Sequence, residues 1–139
     1  MGIRRRGRES ALQVLYQIDV TRLEAGEALK LFWDNFIHEE EAREFCECLV
    51  LGVVRHREEI DRLIEGYAEH WKLSRMTRID RNILRIAVYE LLHCQDIPPK
   101  VTINEAVEIG KRFGSEESGA FINGILDRVT QRLGLLNEK

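Results

Sequence analysis

Ile79-Asp-Arg-Asn-Ile-Leu-Arg-Ile-Ala-Val-Tyr-Glu-Leu91 is the stretch whose reading decides the fold. Ile79, Ile83, Leu84, Ile86, Ala87, Val88, Leu91 and Leu92 cover more than one stripe of a helix, so it must be packed on several sides. Such a helix sits in the middle of a bundle. Ser74 is its expected cap and Cys94 its approximate end. Outward from it the rhythm stays helical, and no alternating strand pattern appears. A first helix is expected from about Arg8 to Val20, on Ala11, Leu12, Leu15, Tyr16 and Ile18. Gly26 breaks the chain before Ala28–Ile37, where Leu29, Phe32, Trp33 and Phe36 make a stripe. A long helical region over Glu40–Trp71 follows, with a bend near Gly52–Arg57. Pro98-Pro99 forces extended backbone ahead of a T-x-x-E capping box, Thr102 to Glu105, which predicts a helix over Thr102–Phe113. Gly114 stops it. Ser115 then caps a last helix over about Glu116–Leu133, with Glu116 and Glu117 in its first turn. The expected architecture is all-α, a compact bundle of about seven helices forming one domain over residues 1–139. Two small sub-bundles sharing the central helix are one way to build it.

A domain of 139 residues buries roughly two thirds of its unfolded surface. No apolar run approaches the roughly 20 residues of a membrane span, and no apolar segment follows the charged start as in a signal peptide. Three cysteines, with Cys46 and Cys48 inside a helical pattern, fit reduced thiols in a cytoplasm better than a disulfide framework. The net charge of −3 conceals an asymmetry. Met1–Arg8 holds Arg4, Arg5, Arg6 and Arg8 and no acid, while the rest of the chain carries 17 basic against 24 acidic residues. A basic start on an acidic body suggests local capture of an anion, and nucleic acid is the commonest one.

Catalytic and metal patterns are missing from the linear sequence. Cys46-x-Cys48 points two thiols about 200° apart on a helix. No C-x-x-C or H-x-x-x-H spacing links Cys94, His38, His56, His70 and His93. There is no G-x-S-x-G, phosphate-cradling glycine loop or G-x-G-x-x-G. The chain is therefore read as a non-enzyme, with no catalytic residue, no metal ligand and no cofactor.

Two stretches could carry binding. Arg4 and Arg8 share a helix face if the first helix extends backward, and arginine offers bidentate phosphate contacts and stacking on bases. The bland reading is a solvated tail. Ser118-Gly-Ala-Phe-Ile-Asn-Gly124 could present Phe121 to a splayed-out base, with Lys111 and Arg112 extending the positive surface and Glu117 tempering it. There the bland reading is helix packing, with Phe121 in the core. Arg78, Arg81 and Arg85 lie on one face of the central helix. Internal ion pairing is the ordinary explanation, and a partner surface the alternative.

Three segments carry a family resemblance: Arg4-Arg-Arg-Gly-Arg-Glu9, the central helix, and Ile97-Pro-Pro-Lys-Val-Thr-Ile-Asn-Glu-Ala-Val-Glu-Ile109 with Phe121-Ile-Asn-Gly-Ile-Leu-Asp127. From Arg4 to about Leu133 the chain resembles the bacterial NusB family of transcription antitermination factors. The resemblance implies a cytoplasmic adaptor. It would bind the single-stranded boxA element of ribosomal RNA leaders together with NusE, a ribosomal small-subunit protein, and act within an RNA polymerase antitermination complex. It implies RNA-binding roles for Arg4, Arg5, Arg6 and Arg8. Lys111, Arg112, Glu117, Ser118, Phe121 and Asn123 are the further RNA-site candidates. Tyr16 and Asp80 are family-pattern positions for the protein-partner face, joined by Arg81 and Arg85. A homodimer stays open. Two alternatives remain beside this reading: an RNA-binding helical domain from a ribosomal RNA cytosine methyltransferase, and a helical interaction module without RNA affinity.

Overall fold

The computed structural model describes residues 2–36, 39–68 and 72–135. Ile37, His38, His70 and Trp71, which the sequence reading uses, lie outside those described residues. Seven α-helices and one 3-10 turn are found among the described residues: α1 (Ile3–Thr21), α2 (Ala25–Asn35), α3 (Glu40–Arg55), α4 (Arg57–Tyr67), the turn Leu73–Arg75, α5 (Arg78–His93), α6 (Pro99–Phe113) and α7 (Ser118–Arg132).

The apolar surplus of α5 is what organises them. Ile83, Leu84, Ile86, Ala87, Val88 and Leu91 are all buried. Each Leu, Ile or Val so buried contributes roughly 1.5–3 kcal/mol. To cover those side chains α5 packs against α1, α3, α4, α6 and α7. α1 and α3 pair closely with α2 beside them, and α6 pairs closely with α7, so two sub-bundles share α5. At the α3–α5 crossing a Cβ on Gly52 would stand 2.2 Å from Tyr89 Cζ. Only glycine permits that approach. No described helix is long and apolar enough to cross a membrane.

Several boundaries differ from expectation, each for a physical reason. α1 begins at Ile3, so Arg4–Arg8 form its first turns instead of a tail, because these arginines find carboxylates on neighbouring elements. α2 begins at Ala25 with Gly26 inside it, since the Glu24 carboxylate accepts the Glu27 N–H. The expected bend is a break at His56 between α3 and α4. Thr77, not Ser74, caps α5: its hydroxyl accepts the Asp80 N–H at 3.1 Å. α6 starts at Pro99, where a fixed φ suits the first helical position. The supposed capping box is therefore inside the helix. Thr102 instead donates to Glu90 Oε1 at 3.1 Å, and Glu105 receives Arg5. α7 begins at Ser118 with Glu117 at its N-cap, which leaves no acid in its first turn.

Candidate nucleic-acid interface

The first turns of α1 place four arginines in different surroundings. Arg4 NH2 reaches Asp96 Oδ2 at 3.0 Å, and both side chains are more than half exposed. Arg5 grips Glu105 with two parallel bonds, Nε to Oε1 at 2.8 Å and NH2 to Oε2 at 2.6 Å. Arg6 pairs with Glu39 at the surface. Arg8 turns inward and forks onto Glu90, Nε to Oε2 at 2.8 Å and NH2 to Oε1 at 2.7 Å. Their side chains are only 4% and 1% exposed, so no phosphate can reach Arg8 while α1 is packed. Arg8 belongs to the fold and leaves the set of RNA candidates. The bidentate hydrogen bond from Arg5 holds the Glu105 carboxyl below its usual range, helped by the charges of Arg5 and Arg8 and opposed by burial.

α6 is the element common to both candidate stretches. Arg5–Glu105 and Arg112–Glu9, the latter at 3.0 Å, tie it to α1, and its other side packs on α7. Lys111 runs beside Gly119 of α7 and pairs loosely with Glu108 at 3.5 Å. The arginine-rich start and α7 therefore flank α6 and are not directly side by side. Asn123 and Glu117 are exposed, and Phe121 is half-buried against the core. Ser118 is buried, its Oγ accepting the Ser115 N–H at 2.9 Å. It closes the α6–α7 corner and cannot meet RNA, a correction that follows from the later start of α7.

The protein-partner candidates separate in the same way. Tyr16 is 40% exposed and borders a recess of about 260 Å³ with Leu12, Phe32, Phe36, Ile79 and Phe113. Arg85 is buried instead, forked onto Asp61 at 2.8 and 3.1 Å. Arg81 donates to the Leu73 carbonyl at 3.1 Å and meets Asp19 at 3.4 Å. Both arginines fasten α5 to its neighbours, because a helix covered on nearly every side must turn these positions toward Asp19 and Asp61. They are removed from the partner face. Asp80 is also largely buried, and its Oδ1 has no hydrogen-bond partner among the described residues.

Burial pushes the Cys46 thiol up to about 12, which suits a core residue and not a nucleophile. Sequence spacing did not bring His56, Glu59 and His93 together, yet they cluster in space. His56 and Glu59 are only three residues apart, but His93 comes from α5, and that long-range part of the cluster leaves no local signal.

The NusB family profile matches residues 5–131. A transcription antitermination protein NusB from Syntrophus aciditrophicus is 49% identical over 136 residues, covering 98% of this chain and 84% of that protein. A T. maritima NusB structure superposes with a TM-score of 0.85 at 42% identity, over 92% of this chain and 90% of that one. A crystal structure of antitermination factors NusB and NusE in complex with dsRNA gives 0.84 at 32% identity, over 95% and 98%.

Proposed function

The chain belongs to the NusB family, and from that premise we propose that it is a transcription antitermination factor, a single-domain cytoplasmic adaptor rather than an enzyme. It pairs with NusE and binds boxA RNA, and the assembly acts on RNA polymerase. The observation that carries this reading is the likeness to a NusB chain crystallised with NusE and RNA, joined to a set of solvent-reachable cations on α1 and α6. Arg4, Arg5, Arg6, Lys111 and Arg112 take the phosphates. Phe121 and Asn123 meet the bases. These cations already hold carboxylates, so RNA must exchange one anion for another at each of them. That keeps the chain's own RNA affinity modest and makes a partner that adds basic surface valuable.

NusE docks on the recess around Tyr16. Exposed Tyr16, Phe36 and Phe113 supply the apolar anchor, while Asp80, being largely buried and outside the recess, is left out of that face. Two copies of the chain would pair through the same face when NusE is absent. The test is binding of a boxA oligonucleotide across a salt series, by the chain alone and with NusE. Replacing Arg4 and Arg6 with alanine should flatten the log–log salt slope by about one to two units. An unchanged slope, or no gain in affinity from NusE, would defeat the reading.

A further inference from the structure

Two imidazoles and a carboxylate meet where α3 gives way to α4, among residues that neither the RNA site nor the partner face uses. His56 sits between those helices with its backbone held from both sides. Its N–H donates to the Gly52 carbonyl at 3.0 Å, and its own carbonyl accepts the Ile60 N–H at 3.0 Å. Glu59 lies in the first turn of α4 and His93 in the last turn of α5. His56 Nδ1 stands 3.8 Å from Glu59 Oε1, and His93 Nε2 stands 3.9 Å from the same oxygen. All three donor atoms lie within 4.8 Å of one another. We propose that His56, Glu59 and His93 bind one divalent transition-metal ion of the zinc, nickel or copper class.

The donor set selects the class. Two imidazole nitrogens and one carboxylate oxygen suit borderline ions and not calcium or magnesium, which favour all-oxygen shells. Ligand bonds of about 2.0–2.2 Å put neighbouring donors roughly 3.4 Å apart in a tetrahedral site. The two imidazole–carboxylate separations, 3.8 and 3.9 Å, exceed that modestly, and the bound of 4.8 Å on all three atoms leaves the rest to side-chain rotation at these partly exposed residues. Glu59 is 56% exposed and both imidazoles are 34% exposed. Order in the site comes from ring packing. The imidazoles stack at 4.2 Å between centroids with 27° between planes, and Tyr89 stands beside both. Tyr89 is fixed in turn by its close approach to Gly52. Binding requires one imidazole to turn until the two lone pairs converge, with water completing the shell. The bound ion then pins the α3–α4 junction to the end of α5 and stabilises the native state by mass action.

The test is calorimetric titration of the tag-free protein with Zn²⁺, alongside thermal melts. One ion per chain and a raised melting temperature are expected. His93→Gln and Glu59→Gln change exposed side chains, so their melts without metal should match the wild type while saturable binding is lost or weakened many-fold. Undiminished binding by His93→Gln overturns the proposal, and Glu59→Gln decides it should that variant fold poorly. Thiols are the competing ligands, since Cys48 Sγ lies 3.9 Å from the Tyr89 hydroxyl and Cys94 follows His93. A Cys48→Ser, Cys94→Ser double variant should keep the site. Loss of binding there assigns the ion to sulfur and overturns the proposal equally.

Discussion

Arg4 and Arg8 stand one helical turn apart on α1, each with its guanidinium about 5.5 Å from the same Phe45 ring. Both are paired with a carboxylate. Yet Arg4 and Asp96 are more than half exposed, whereas Arg8 and Glu90 are sealed against α5 with Thr102 completing the acceptor shell. The contrast teaches that residue type and spacing assign neither arginine its job. Water does. A solvated pair is worth little and can be traded for a phosphate, while a desolvated fork cannot give up its partner without stranding a buried charge.

The largest effect should come from breaking the inner pair. Arg8→Ala or Glu90→Gln should cost about 3–5 kcal/mol of stability, read from urea unfolding, because one charged or polar partner is left buried. Arg4→Ala should stay within about 0.5 kcal/mol, as surface changes usually do. Equal, small losses at both positions would erase the distinction between the two turns.

Phe121 sharpens the comparison, since it packs on the core yet is only half-buried. Phe121→Ala should weaken RNA binding by about 1–3 kcal/mol, the cost of a lost base–aromatic stack. It should lower stability as well, so a second variant is needed. Phe121→Leu keeps most of the core volume and removes the aromatic face. RNA affinity that survives in Phe121→Leu would show that Phe121 only packs.

Much of this fold was legible because apolar periodicity is a local signal. Ile83, Leu84, Ile86, Ala87, Val88 and Leu91 announced a helix buried on several sides, and α5 is that helix. Polar partners were not legible. Thr102 and Glu105 have the spacing of a capping box, yet their partners, Glu90 and Arg5, lie 12 and 100 residues away. Arg85 reads as a surface charge until Asp61 is placed beside it. His56 lies at the break between α3 and α4 and His93 in the last turn of α5, so they meet only because α5 packs beside that junction. Long-range ion pairs decide which candidate residues are accessible, and sequence spacing reports only neighbours within a few residues along one helix.

A modest effect is expected at Arg5–Glu105, which stands between the two extremes with side chains 31% and 19% exposed. Arg5 holds the Glu105 carboxyl below its usual range, so the folded state favours the ionised form more than the unfolded chain does. The stabilisation is therefore fully present above the unfolded glutamate range, near about 4.3, and disappears as pH falls through the lowered folded value. Because the pair is partly solvated, its share should be about 1 kcal/mol or less. Glu105→Gln removes that acid limb, so stability measured from pH 7 down to pH 3 should fall less steeply than in the wild type. The same substitution leaves the Arg5 guanidinium without its anion. RNA affinity at neutral pH should then rise, most clearly at low salt where screening is weak. An acid limb identical to the wild type would mean that the fork contributes nothing to folding. An unchanged RNA affinity at low salt would place Arg5 off the phosphate path and leave Arg4 and Arg6 to carry that edge of the site.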